Sequence, residues 1–226
     1  ISAQNLFSPS ILDEIFFNKI HKDYPNTDLN LIKDQALFLD LNKLFLDSIM
    51  NHTPESVEIS LPFFSDSIIN LELEHFSIYS DNFSVTRHTS DGIIVDSYTP
   101  SIKTYSIYNS IYKGVFIFSP KFIKAVITLN DDIYQIDCLK PSSVDQEKIY
   151  YLSNISDSPL PFNFLCSHDE LKQSDSSPEP NLRIGSSIFG CVEIAIEIDY
   201  YTFQTFSNYQ EAVDWALEMI SVVHQL

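Results

Sequence analysis

Residues 101–138, SIKTYSIYNSIYKGVFIFSPKFIKAVITLNDDIYQIDC, restrict the possible folds more than any other stretch of the chain. Val115, Phe116, Ile117 and Phe118 form a short continuous apolar run, the pattern of a strand covered on both faces. Ser119-Pro120 then breaks the run. Beyond it Ala125, Ile127 and Leu129 alternate with Lys124, Val126 and Thr128, the period-two signature of a half-buried strand. Asn130-Asp131 closes a hairpin onto Ile133, Tyr134 and Ile136, because Asn and Asp tolerate the positive φ a tight turn demands. An isolated hairpin is at best marginal in water, so the rest of the chain must continue or cover this sheet.

Upstream, the spacing predicts a helix over residues 10–20, with Ser10 as cap, Asp13 in the first turn and Leu12, Ile15, Phe16 and Ile20 as its stripe. Ala36 to Leu41 reads as a short strand. A second short helix follows, with Asp40 as N-cap and Leu41, Leu44, Phe45 and Ile49 on one face. The period then changes to two: Val57, Ile59 and Leu61 make a strand that Pro62 ends. Leu71, Leu73, Phe76 and Ile78 suggest another, its phase slipping at His75. Phe83 and Val85, with Ile93 to Val95, flank Asp91-Gly92, a type I′ hairpin signal, and Ile149 to Leu152 adds a further strand. Short strands separated by turns predict an α+β fold, mainly antiparallel β, built as a sandwich or open barrel with short N-terminal helices.

Composition shifts at His168. From there to Ser187 the chain is rich in Ser, Pro and charge and nearly free of apolar residues, an exposed linker of the kind proteases nick. Arg183 is its only arginine and marks a cleavage region. Past the linker, Cys191, Val192, Ile194, Ala195, Ile196 and Ile198 predict an apolar strand suited to the middle of a sheet. Ser207 opens a helix with Gln210 at the reciprocal capping position, and Val213, Ala216, Leu217, Ile220 and Val223 form its stripe. The expected organisation is a β-rich unit over 5–166, a linker over 167–187, and over 188–226 the truncated start of an α/β domain.

Charge excludes whole classes of partner. With 13 Lys and Arg against 31 Asp and Glu, the net charge is −18. Such a surface repels phosphate backbones and anionic lipid heads, so neither nucleic acid nor a membrane surface is expected as partner. No apolar run is long enough to span a bilayer. The chain begins at Ile1 rather than Met, and Ile1-Ser2-Ala3-Gln4 has the small-residue character of a signal-peptide cleavage region, which points to export. Sequons at Asn51, Asn82 and Asn154 are compatible with that reading.

The motifs of familiar enzymes are missing. The histidines, at 21, 52, 75, 88, 168 and 224, include no pair four apart with Glu between, and there is no Gly-x-Ser-x-Gly elbow, phosphate-binding glycine loop or dinucleotide fingerprint. His168-Asp169-Glu170-Leu171 looks like an ER-retention signal, but that signal acts only at a C-terminus. The cysteines, Cys138, Cys191 and Cys166, are odd in number and too few for a disulfide framework. Cys138 and Cys191 lie at the ends of apolar strands and read as core residues or as a pair.

SIKTYSIYN, followed by FIFSPKFIKAVITLNDDIYQID, resembles the propeptide of secreted reprolysin-like zinc metalloproteases, the metzincin group that includes the ADAM proteases. LFLDLNKLFLDSI and VEISLPF resemble the beginning of the bacterial versions. CVEIAIEIDYYTFQTFSNYQEAVDWALEMISVVHQL is similar to the first strand and helix of their catalytic domain. Lys121-Phe122 departs from the glycine many relatives carry after the Ser-Pro turn. The resemblance implies a zymogen fragment without the HExxHxxGxxH helix, hence no catalytic residue and no catalytic zinc in this chain. Its implied partner is its own catalytic domain, kept latent by a cysteine thiolate on the zinc. Cys166, late in the β-rich unit, is placed for that inhibitory ligand role, or else is a small buried hydrophobe or half of a disulfide. A non-enzymatic secreted β-rich binding or adhesion module is the competing expectation.

Overall fold

The computed structural model describes residues 17–19, 36–96, 98–107, 110–139, 148–155 and 194–225. Residues 1–159 and 198–226 cluster into one compact unit and residues 160–197 into another.

In the first unit, nine strands among the described residues form one antiparallel sheet. In chain order they are β1 (Phe17–Lys19), β2 (Ala36–Leu41), β3 (Ser56–Pro62), β4 (Ile68–Phe76), β7 (Lys103–Ile107), β8 (Tyr112–Phe118), β9 (Ile123–Leu129), β10 (Asp132–Leu139) and β11 (Ile149–Asn154). Their spatial order is β1-β2-β11-β10-β9-β8-β7-β4-β3, and β1 and β3, the two ends of that order, lie against each other. The sheet is thus a nearly closed barrel, the open-barrel alternative of the expected α+β class. Near-closure leaves little free edge, which removes most of the unpaired backbone an open sheet would offer to other chains. β5 (Val85–Thr89) and β6 (Gly92–Asp96) form a separate two-stranded ribbon.

Helix α1 (Lys43–His52) connects β2 to β3 and buries Phe45, Leu46 and Ile49 in the same cluster as the inward faces of the strands. Its N-cap is Asn42, whose side chain accepts from the backbone N–H groups of Leu44 (3.1 Å) and Phe45 (3.4 Å). The expected cap, Asp40, is instead paired with Asn18 in the β1–β2 ladder, so the strand runs past it. The same ladder corrects the helix expected over 10–20. Phe17, Asn18 and Lys19 are strand, with Phe17 fully buried opposite Leu41, and residues 10–16 and 20 lie outside the described residues. Local helical spacing lost to the apolar surface that Phe17 buries by pairing.

The central block behaves as its pattern predicts. Phe116 and Phe118 point into the barrel, while Val115 and Ile117 belong to a second, outer cluster under a helix, so both faces of β8 are indeed covered. On β9, Ile123, Ala125 and Ile127 face inward. Asn130 (φ 50°) and Asp131 (φ 72°) form the hairpin turn to β10, both in the left-handed region. The phase slip at His75 also has a cause. Leu71 and Leu73 face the interior, whereas Phe76 faces the outer cluster and β4 ends there. In the β5–β6 ribbon, Thr89 pairs with Gly92, so the turn residues are Ser90 and Asp91, and positive φ falls on Gly92 (125°) just after them. This differs from a type I′ turn centred on Asp91-Gly92.

Of the apolar strand expected over 191–198, residues 191–193 lie outside the described residues and Ile194 to Ile198 carry no strand; Ile194 and Ile196 are 57% and 48% exposed. Among the described residues they have no neighbouring strand, and an apolar β pattern without a ladder partner has nothing to hold it extended. A single turn, α2 (Tyr200–Phe203), follows, and then the long helix α3 (Tyr209–Gln225).

Candidate functional site

Helix α3 forms where its apolar stripe predicts, and Val213, Ala216 and Leu217 of that stripe are buried, whereas Val223 at its C-terminal end is 64% exposed. Val213 and Leu217 pack on Ile102, Val115 and Ile117, all under 10% exposed. Its start is shifted by one residue from the expected Ser207/Gln210 capping pair. The Asn208 Oδ1 accepts from the Glu211 backbone N–H (2.9 Å), and the Glu211 side chain reaches back to accept from the Ser207 N–H (3.1 Å). Glu211 sits at the capping-box position three residues after Asn208, but its carboxylate takes the N–H of the residue before the cap and not that of Asn208 itself.

Glu211, Asp214 and Glu218 are spaced so that one helical face carries all three carboxylates, beside Val213 and Leu217. Each accepts from a group on the barrel. Lys121 Nζ donates to Glu211 Oε1 at 2.6 Å. Asp214 accepts from the Tyr98 hydroxyl (2.8 Å), the Ser101 backbone N–H (3.2 Å) and the Ser101 hydroxyl. Lys124 pairs with Glu218, whose side chain is 9% exposed. At the N-terminal end of α3 the Arg87 guanidinium, ion-paired with Asp96, lies 4.7 Å over the Tyr209 ring, and Tyr98 packs edge-on to the same ring. At the other end His224 stacks on Phe76.

The electrostatics follow from burial and pairing. Removal from water pushes the Glu218 carboxyl above the ordinary glutamate value, partly offset by Lys124. Glu211 is pulled below it, chiefly by the hydrogen bond from Lys121. Burial and the Asp214 carboxylate both raise the Tyr98 hydroxyl, so it stays protonated and donates. The arrangement seats α3 on the barrel through an apolar centre flanked by ion pairs and hydrogen bonds.

The residues singled out from sequence fare differently. Cys166, Arg183 and Cys191 lie outside the described residues. Cys138, near the end of β10, packs half-buried against the interior cluster, and burial raises its thiol. Among the described residues, no group of three or more His, Cys, Asp and Glu side chains is placed to hold a metal ion. Elsewhere, a cleft of about 260 Å³ opens along the barrel seam, lined by Phe17, Lys19, Pro62, Phe63 and Asp66, with Lys19 paired to Asp66 at 2.5 Å.

No family model, curated protein or solved structure matches this chain. No helix among the described residues is long and apolar enough to cross a membrane. The roles of Tyr98, Ser101, Lys121, Lys124 and Asp214 in seating α3 escaped the sequence reading. The carboxylate spacing on α3 was the available signal, but its basic counterparts come from distant loops and β9, which only the fold brings together.

Proposed function

We propose that the chain is the propeptide region, with the first helix of the catalytic domain, of a secreted reprolysin-like zinc metalloprotease zymogen. It keeps the catalytic domain latent and assists its folding. The observation that carries this reading is the seating of α3, the segment similar to the first catalytic helix, on the barrel through complementary charge. The exposed Tyr200 and Tyr201, just before α3, fit the same reading, since they are surface that the rest of an α/β domain would cover.

The zinc belongs to the catalytic domain, and its chemistry there is to activate the attacking water. Of this chain's thiols, Cys138 is poorly suited to hold it, because burial disfavours its thiolate. Cys166 is the residue assigned to the metal, its thiolate occupying the coordination position that water needs. Arg183 marks the region of the linker where processing cuts the chain.

The test uses the protease made from the intact gene. Added propeptide, residues 5–166, inhibits the mature enzyme, and Cys166→Ser raises the inhibition constant about tenfold or more. Equal inhibition by both proteins removes the cysteine switch and leaves the propeptide role; no inhibition by either removes both.

A second reading, a non-enzymatic secreted β-rich binding module, is favoured by one feature. The β5–β6 ribbon presents Ile93 and Val95 at 66% and 67% exposure. Absence of an HExxH run in the gene downstream of codon 226 selects this reading.

A further inference from the structure

The barrel is part of a chain with far more acidic than basic residues, 31 against 13, yet Arg87, Lys121 and Lys124 gather around helix α3 on its outer face. They ring an apolar floor of Ile102, Val115 and Ile117, and each lysine meets a carboxylate of α3. The fit combines shape, hydrophobic burial and opposite charge, the features that make an interface specific. Covalent linkage is not among the contacts that seat the helix.

We propose that the outer face of β7, β8 and β9 is a docking site for an acidic amphipathic helix. It holds α3 non-covalently, so that barrel and helix remain one particle after the chain between them is cut. In the propeptide reading, on which the biological meaning of the site rests, cleavage of the linker does not by itself free the protease. The barrel stays bound through the first catalytic helix until this interface opens.

Docking can be measured without any protease activity. A recognition sequence for a specific protease, inserted between residues 172 and 187 of the 226-residue chain, allows complete cutting followed by gel filtration over a dilution series. The two pieces are expected to co-elute at micromolar concentration. Lys124→Glu is expected to raise the dissociation constant at least about tenfold, since it sets two carboxylates against each other in a partly desolvated site. The exchanged pair, Lys124→Glu with Glu218→Lys, is expected to recover most of the loss, which a merely misfolded barrel cannot do. Leu217→Asp is expected to separate the pieces.

Separation of the wild-type pieces at micromolar concentration overturns the proposal, as does failure of the exchanged pair to recover binding. Co-elution in a protein whose barrel fails to inhibit the mature enzyme overturns the propeptide reading alone and leaves the docking site standing.

Discussion

Gly114 lies in the middle of β8, opposite Ile127, with φ at 147°. A Cβ at this position would stand 2.0 Å from the Val126 carbonyl oxygen on the neighbouring strand. Both the backbone angle and the space therefore require glycine. Gly114→Ala is expected to destabilise the barrel by more than about 1 kcal/mol, seen as a lower urea midpoint at unchanged slope. At this scale legibility depends on distance along the chain. Asn130 and Asp131 betray their turn because the cause of their positive φ is local. Nothing near Gly114 in sequence announces its constraint, because the obstructing atom belongs to residue 126 and arrives only when β8 and β9 pair.

At the scale of the element, α3 carries two carboxylates that respond to pH in opposite senses. Glu218 is raised by burial, so the docked state holds its proton more tightly than the unfolded state. Its contribution favours docking below the ordinary glutamate value and is lost as pH rises from near 4.5 through the raised value. Glu211 is lowered, so its contribution is present above the ordinary value and lost as pH falls through the lowered one. Glu218→Gln is expected to flatten the loss of α3 protection that wild type shows as pH rises just above 4.5, and Glu211→Gln to flatten the loss on the acid side. Amide exchange of residues 209–225, corrected for intrinsic rates, reads both.

The elements were unequally legible. The apolar run of β8 declares a strand covered on both faces, and the stripe on α3 declares a buried helix. That one covers the other is a tertiary fact. The strand expected over 191–198 failed in the described part for the converse reason: an apolar β pattern states what a segment can do, and a ladder partner decides whether it does.

For the molecule as a whole, the excess of acidic residues is the dominant electrostatic quantity. A net charge of −18 repels itself, while the exposed pair between Lys121 and Glu211 returns little in water. The Debye length falls from about 30 Å at 0.01 M salt to about 8 Å at 0.15 M, so salt screens the long-range repulsion most. The midpoint of thermal unfolding is therefore expected to rise over that range. A midpoint that falls with salt would show that the pairs, and not the net charge, govern the fold. The same balance bears on the propeptide reading, in which the barrel must hold a neighbour firmly at first and release it after processing.

Most of the short strands, the Asn130-Asp131 turn and the inward faces of β3 and β9 were settled along the chain itself, because period-two alternation and turn chemistry are properties of neighbouring residues. So was the helical stripe of residues 209–225. Folding alone decided that the sheet curls until β1 meets β3, that Phe17 joins it as a strand, and that Lys121 and Lys124 come to face Glu211 and Glu218. Those outcomes depend on residues dozens of positions apart competing for the same buried surface, and no local pattern records which of them wins.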